Sequence, residues 1–412
     1  MIWIFYYALI YLVVGGIRIS SLWSEKSRNW IEGRKHWDTR LNLQQKKGPR
    51  VWFHVSSLGE FEQARPVIEK LKSVNHEIEI ILTFFSPSGY QIRSGYEFAD
   101  VKYLPADLPG NARKWIAAVQ PDLAVFVKYD LWPGYLKVLE DQHIPAILFS
   151  AHWVQGDWFA SHNIAPTRNL LRKFKRIFLQ QDDNLDYFRN KGFDNLSAAG
   201  DTRIDRSLEL PIEAIQRLSP LLKETGPYDL VAGSTWPPDE KLIKEAIGQL
   251  QLRIIMAPHD VSEANIRRLS SSFPFPVVRL SEIKEPGLKP QVVIVDSIGE
   301  LNTLYALGKI AYVGGGFGSG IHNTLEPIAH GKPILFGPAY TQFPEAVEMV
   351  KIKSAYSVRD ARDLIKAILC FQKPGEAEAA GKKAYEYLVK NSGASEKVTE
   401  YILDSIPYSA KK

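Results

Sequence analysis

The chain has 412 residues, 45% of them hydrophobic, and a formal net charge of +5. That supplies enough apolar material for two domains of ordinary size with separate cores and excludes a disordered chain. Its one cysteine, Cys370, rules out an internal disulfide, and without a Cys-x-x-Cys pair or a His-Glu-x-x-His helix the usual zinc patterns are missing.

The positive charge lies early. Residues 1–17 contain no charged side chain, whereas from Arg18 to Arg50 nine cations face only Glu25, Glu32 and Asp38, a local balance of +6. A cleaved signal peptide carries its cations before the apolar stretch, so the reversed order reads as a membrane-anchoring segment (1–17) followed by a basic juxtamembrane segment (18–50). At 17 residues the stretch is barely long enough to span, which leaves a spanning helix and an interfacial helix both open. Tyr6, Tyr7, Tyr11 and Trp23 suit the headgroup region, and an apolar helix packed on the body of the protein is the rival reading. The cation excess predicts that the remainder lies on the cytoplasmic side of the membrane, with the membrane surface as a partner and no nucleic acid.

Beyond residue 50, apolar runs at 51–55, 78–85, 123–127, 146–150 and 176–179 alternate with amphipathic stretches. Continuous apolar runs are the signature of parallel strands covered on both faces, so 51–205 reads as an α/β domain. The segment 206–228, with Pro211, Pro220, Gly226 and Pro227, suits a linker. The pattern restarts at 230–232, 253–257, 292–295, 310–313 and 333–336, giving a second α/β domain over 229–375, and 376–412 reads as structural helices. The expected architecture is two doubly wound domains facing each other across a cleft, with chemistry in the loops after the strands.

After the first strand, Ser56-Ser57-Leu58-Gly59-Glu60-Phe61-Glu62 brings a carboxylate to a helix start. Glu60 reads two ways: as a general base within reach of a hydroxyl, or as an acid placed there by the helix dipole alone. Glu62 is the weaker candidate, turned to another face. Lys128 and Asp130 follow the strand at 123–127 just before Trp132-Pro133, either as cleft residues or as a local ion pair. Gly200-Asp201-Thr202-Arg203 offers Arg203 as an anion partner or a salt-bridge residue. The basic run Leu170 to Arg176 reads by default as solvated helix surface.

In the second domain Gly233-Ser234-Thr235 offers backbone N–H and hydroxyl donors to a phosphate or carboxylate. His259 follows the next strand as a phosphate ligand or a structural residue. Asp296 to Leu301, including Ile298 and Gly299, forms a strand-to-helix turn. The most telling stretch is Gly314 to Pro327, Gly-Gly-Gly-Phe-Gly-Ser-Gly-Ile-His-Asn-Thr-Leu-Glu-Pro, a glycine loop between a strand and a helix start. Its backbone N–H groups are expected to face an anion. Ser319 stands where a dinucleotide fingerprint requires its third glycine, and no P-loop Gly-Lys-Ser/Thr follows, so a different nucleotide user is implied. Asn323 and Glu326, one helical turn apart, complete the candidate site.

Taken together, Ser57-Leu58-Gly59-Glu60, Leu131-Trp132-Pro133, Gly200-Asp201, Ala232-Gly233-Ser234-Thr235, Val295 to Leu301 and Ile321-His322-Asn323-Thr324-Leu325-Glu326-Pro327 resemble, in order, the motifs of the 3-deoxy-D-manno-octulosonic acid (Kdo) transferases. The resemblance implies a GT-B glycosyltransferase of two Rossmann-like domains with an N-terminal membrane-anchoring helix. It implies CMP-Kdo as donor substrate, a lipid A precursor of the lipid IVA type as acceptor, inversion, and neither cofactor nor catalytic metal. By position Glu60 resembles the general base, Glu326 the ribose-binding carboxylate, and Asn323 with the glycine loop, Gly316 included, the phosphate site. Ser234, Thr235, Ile298 and Gly299 would border the donor. Two departures stand out: Lys128-Tyr129-Asp130 where the family usually has Glu-x-Glu, which keeps one carboxylate on the acceptor side and reverses a charge, and Pro258-His259-Asp260 where it often has Pro-Arg-His. A UDP-sugar-dependent GT-B transferase or epimerase, and a noncatalytic membrane-bound sugar-nucleotide sensor, are the alternatives.

Overall fold

The computed structural model describes residues 2–153, 165–217, 225–285 and 289–407, so Met1 and Pro220 of the sequence reading lie outside the described residues. The chain divides into two units, Met1–Asp205 with Ser392–Lys412, and Arg206–Asn391.

The first unit holds a seven-stranded sheet: β1 (Arg50–Val55), β2 (Glu79–Phe84), β3 (Asp100–Tyr103), β4 (Leu123–Val127), β5 (Ala146–Ala151), β6 (Arg176–Leu179) and β7 (Leu196–Ala198). All are parallel, in the order β3-β2-β1-β4-β5-β6-β7. Period-two alternation divides β1 between the faces: Val51, Phe53 and Val55 enter one core and Trp52 the other, each fully buried. Each such side chain contributes roughly 1.5–3 kcal/mol. The first core is covered by the helices Leu58–Val74 and Ala394–Ser405, the second by Asn111–Val119 and Pro133–Asp141.

The second unit repeats the architecture with β8 (Tyr228–Thr235), β9 (Ile254–Pro258), β10 (Val277–Arg279), β11 (Val292–Ile294), β12 (Gly308–Val313), β13 (Ile334–Phe336) and β14 (Ala355–Ser357). The order is β10-β11-β9-β8-β12-β13-β14, again parallel throughout. Strand order reverses between β1 and β4 in the first sheet and between β8 and β12 in the second, and ligands of open α/β sheets bind beyond the strand ends at such points.

Three sequence expectations change. The proposed linker from Arg206 is helical through Arg217, as the continuation of a helix that begins at Thr202 and contains Pro211. The stretch 376–412 is not one block. Helix Glu376–Lys390 packs on the second unit, with Gly381 so close to Gly331 that a Cβ would lie 1.8 Å from its carbonyl oxygen. Helix Ala394–Ser405 returns to the first unit, burying Val398 and Ile402 beside Phe53, and Asp205 accepts from the N–H groups of Gly393 and Ser395 at its start. An acid there meets both the unpaired donors and the helix dipole.

The third concerns the N-terminal helix, Ile2–Ser20. It is half packed: Val14, Ile10 and Ile17 join Trp30, Ala106 and Phe85, and the Tyr6 hydroxyl donates to Asp107 Oδ2 at 2.6 Å. The opposite face leaves Ile4, Phe5, Leu9 and Leu12 exposed. Among the described residues no helix is long and apolar enough to cross a membrane. The next helix, Glu25–Arg34, is pinned by Arg34, whose buried guanidinium donates to the carbonyls of Leu104 and Phe85 at 2.7 Å each and lies over the Trp30, Phe85 and Tyr103 rings.

Candidate functional site

In the first unit, Ser56 and Ser57 end β1 and open the helix Leu58–Val74. Glu60 is the third residue of that helix and closes a capping box: its Oε2 accepts from the N–H of Ser56 at 2.6 Å and of Ser57 at 2.8 Å, while the Ser57 hydroxyl accepts from Glu60 N. The helix-start reading of Glu60 is met by one of its two oxygens, and the general-base reading concerns the other. One carboxylate oxygen is held by the helix start, and the half-exposed side chain keeps Oε1 for a second partner.

Asp130 comes to the same place from the end of β4. Its Oδ1 accepts from the Ser56 hydroxyl at 2.6 Å. Burial, and then the charge of Glu60, push its carboxyl well above the ordinary aspartate range. Its Oδ2 faces His54 Nε2 at 3.7 Å, too far for a hydrogen bond, and among the described residues neither buried atom has a hydrogen-bond partner. His54 is fully buried on β1, and burial followed by the Arg34 charge lowers it to about 3. The two are thus not an ion pair: a neutral imidazole lies beside a carboxyl that resists ionisation. Lys128, directly after β4, holds a left-handed φ of 60°, an uncommon backbone state that clusters at ligand sites. Arg203 is engaged by the Asp201 carboxylate, with Nη2 donating to Oδ2 at 2.6 Å, and is not held open for an anion.

In the second unit the loops after β8 and β12 are in direct contact. A Cβ on Gly314 would lie 2.3 Å from the Ser234 carbonyl oxygen and 2.7 Å from Thr235 Cα, and one on Gly316 would lie 2.6 Å from Gly337. The glycines are needed for this close backbone approach. The expectation that the whole loop turns free N–H groups to an anion fails in part. Gly314 N donates to the Gly233 carbonyl, Gly318 N to that of Gly315, and Gly315 N to Asp239 Oδ2 at 3.0 Å. The helix after the loop is only Leu325–Ala329. Asn323, assigned to the phosphate by sequence, instead bridges the turn: its Oδ1 accepts from Leu325 N and its Nδ2 donates to Glu326 Oε1 at 2.9 Å.

Buried Thr235 and Thr324 carry hydroxyls without a partner among the described residues. Buried polar atoms are nearly always satisfied, so the hydroxyl at the end of β8 and the one at the start of the helix after the glycine loop are each open to a further polar partner. Ser234 has the left-handed φ of 52°, and His259 N donates to the Thr235 carbonyl at 2.9 Å. Ile298 and Gly299 follow β11, Ile298 exposed and Gly299 at φ 97°.

Sequence reasoning missed three residues here. Asp239, fully buried, accepts from Trp236 N, Gly315 N and the Tyr312 hydroxyl, and so ties the β8 loop to the glycine loop. Its signal was an acid in the first turn of a helix opened by Pro237-Pro238. Trp236 and His322 stack on His259 from either side. His322 lay inside a quoted motif, but ring stacking has no sequence periodicity.

Residues 35–206 match the family model described as 3-Deoxy-D-manno-octulosonic-acid transferase (kdotransferase). The 3-deoxy-D-manno-octulosonic acid transferase of Haemophilus influenzae is 27% identical over 369 residues, 85% of this chain and 86% of that protein. The Aquifex aeolicus protein of the same name is 26% identical, covering 81% and 89%. Among solved structures, UDP-GlcNAc 2-epimerase from Neisseria meningitidis superposes with a TM-score of 0.57 at 16% identity, covering 86% of this chain and 99% of that one. The calicheamicin glycosyltransferase CalG4 gives 0.56 at 12%, covering 87% and 98%. These structures show the fold, two Rossmann-like domains of the GT-B type. With the match over residues 35–206 and relatives spanning more than four fifths of its length, the chain is similar to the 3-deoxy-D-manno-octulosonic acid transferases over most of its length.

Proposed function

We propose that this chain is an inverting glycosyltransferase that moves Kdo from CMP-Kdo to a lipid A precursor in lipopolysaccharide core synthesis. The observation that carries the reading is the carboxyl pair at the ends of β1 and β4. Glu60 is fixed through Oε2, and beside it burial and then the Glu60 charge raise the Asp130 carboxyl well above the ordinary aspartate range. Two neighbouring carboxyl groups held in different environments are the arrangement acid–base chemistry requires. Glu60 takes the proton of the acceptor hydroxyl through Oε1, the hydroxyl oxygen bonds to the anomeric carbon of Kdo, and the bond from that carbon to the phosphate oxygen breaks. CMP leaves with the electron pair from the face opposite the attack.

On the donor side, Ser234, Thr235 and Thr324 meet the phosphate, helped by the remaining N–H groups of the glycine loop, and Glu326, oriented by Asn323, takes the ribose hydroxyls. Polar groups fixed in advance stabilise charge that develops on a departing phosphate. Ile298 and Gly299 border the nucleotide. Lys128 and Asp130 serve the acceptor side. No resident metal or cofactor is assigned to the reaction.

The N-terminal helix supports a membrane assignment of the interfacial kind. One face packs on the first unit, the other presents exposed Ile4, Phe5, Leu9 and Leu12, and the basic segment follows. The proposed location is the cytoplasmic face of the inner membrane, where the acceptor would lie; the exposed apolar face and the basic segment support that reading. Incubating the full-length protein with CMP-Kdo and lipid IVA and weighing the lipid product tests the reading: a gain of one or more Kdo units is expected, and turnover with UDP-sugars instead of CMP-Kdo overturns it.

A further inference from the structure

The hydrogen bonds around Thr83 fix which nitrogen of His54 carries its proton. Trp52 Nε1 donates to Thr83 Oγ1 at 2.9 Å, and that hydroxyl donates its single hydrogen to the Phe53 carbonyl at 3.1 Å. A hydroxyl has one hydrogen and two lone pairs, so one lone pair is left. His54 Nδ1, 2.9 Å away, can meet it only as a donor. His54 is therefore held as the Nδ1–H tautomer, with a bare lone pair on Nε2. That orphaned nitrogen faces the orphaned Oδ2 of Asp130 at 3.7 Å.

Two bare acceptors facing each other in a buried place repel, and one proton, on the nitrogen or on the oxygen, removes the conflict. The surroundings decide which. From the helix Glu25–Arg34, the buried Arg34 guanidinium opposes a positive charge on His54. From β4 and the loop after it, Phe126 and Trp132 meet the imidazole edge to face, with centroids at 6.1 and 5.4 Å, and bring no charge. From the helix Leu58–Val74, Glu60 opposes a second negative charge on Asp130. A proton on Asp130 Oδ2 satisfies all of these at once and turns the facing acceptors into donor and acceptor. The gap is longer than a hydrogen bond, and such contacts in acid–base sites commonly tighten when substrate binds.

We propose that His54 is a positioning residue for the transfer: its bare Nε2 takes a hydrogen bond from Asp130 Oδ2, which keeps the proton of the carboxyl pair on Asp130 and leaves Glu60 as the free base. This role rests on the reading of Glu60 as the base and supplies the reason that the two acids do not exchange parts. Without the His54 acceptor the pair shares its proton, so Glu60 is partly protonated at a higher pH and turnover fails sooner as the pH falls.

Asparagine and glutamine separate the two nitrogens: the asparagine amide N–H can replace Nδ1–H toward Thr83, whereas the glutamine amide oxygen can replace Nε2 toward Asp130. The test follows kcat/KM of the full-length protein for CMP-Kdo, with detergent-dispersed lipid IVA, from about pH 5 to about pH 8. His54→Asn should move the acid limb up by about one unit, roughly a tenfold loss of activity below it. His54→Gln should bring the limb back toward the wild type. In an Asp130→Asn background His54→Asn should move it no further, because the pair then has no proton to allocate. A merely structural residue would lower Tm in both single variants and leave the limb in place. An unmoved limb in folded His54→Asn therefore overturns the role, and so does a shift that persists with Asp130→Asn. Nitrogen NMR of imidazole-labelled wild-type protein, with the His54 signals identified by their loss in His54→Asn, needs no turnover: a protonated Nδ1 and a bare Nε2 are expected, and a proton on Nε2 overturns the proposal. Folded wild-type protein that does not use CMP-Kdo overturns the transferase reading and this role with it.

Discussion

Ser56 donates its hydroxyl to Asp130 Oδ1 across 2.6 Å, so the loops leaving two neighbouring strands share a hydrogen bond where the order of the first sheet reverses. The folded chain holds the Asp130 proton to a higher pH than an ordinary aspartate, because burial, and then Glu60, penalise its charge. The unfolded chain releases that proton near pH 4. Above that pH the folded state binds more protons than the unfolded state, so this group makes stability decline as pH climbs through the folded value. Asp130→Asn keeps an oxygen for Ser56 and has no charge to desolvate. The variant should gain on the wild type as pH rises above about 5, by a Tm difference on the order of 1 °C for each 1 kcal/mol in a chain of this length. Unfolding followed by circular dichroism measures it, and a gap that does not widen with pH would show that the pair carries no such coupling.

Glu60→Gln isolates the base from the cap. A glutamine carbonyl still accepts from Ser56 N and Ser57 N, so the helix start survives, but the amide cannot take a hydroxyl proton. Turnover should fall by roughly 10²–10⁴-fold with CMP affinity unchanged. Near-normal turnover from the folded variant would leave Glu60 with its capping role alone.

The ten central strands of the two sheets were legible as apolar runs because both faces of a parallel sheet are covered. β3, β7, β10 and β14 were missed for the converse reason. Each is the last strand of its sheet, three or four residues long and only partly buried, so Asp100, Lys102, Ser197, Arg279 and Ser357 interrupt the apolar pattern. Glu60, Asp130 and the glycine loop were found because strand ends, helix starts and glycine runs are local. Asp239, Trp236 and His322 act through contacts between separate loops, as with Asp239 and Gly315, 76 positions apart, and no window of sequence contains both partners.

Glu326 and Asn323 offer a test of the ribose contact. Asn323 Nδ2 fixes one oxygen of Glu326 at 2.9 Å, and the charge of Glu326 adds to burial in raising the Tyr305 phenol, which places the carboxylate near the second sheet's core. Glu326→Ala should weaken CMP binding by about tenfold, near 1.4 kcal/mol. It should leave 2′,3′-dideoxy-CMP binding nearly unaltered, since that nucleotide has no hydroxyls to lose. Calorimetry with both ligands decides it, and an equal loss for the two would assign Glu326 to the shape of the loop.

The two faces of the N-terminal helix separate membrane attachment from folding. Removing residues 1–17 would take away the exposed apolar face, but also the Tyr6–Asp107 bond and the Val14 contact with Trp30 and Ala106, so a loss of activity would have two causes. Substitution face by face avoids this. Ile4 and Leu12 are each 73% exposed, so the double variant Ile4→Ser, Leu12→Ser leaves the packed face intact. Each apolar side chain immersed in lipid contributes roughly 1.5–3 kcal/mol, so the pair should weaken binding to anionic liposomes by at least about tenfold. Reaction with bilayer-embedded acceptor should slow accordingly, while reaction with detergent-dispersed acceptor is retained. Val14→Ser, on the packed face, should instead lower the Tm, because it buries a hydroxyl among apolar neighbours. Equal loss in liposomes and detergent for the Ile4, Leu12 variant would make the outer face structural, and undiminished liposome binding would assign attachment to the basic segment between Arg18 and Arg50.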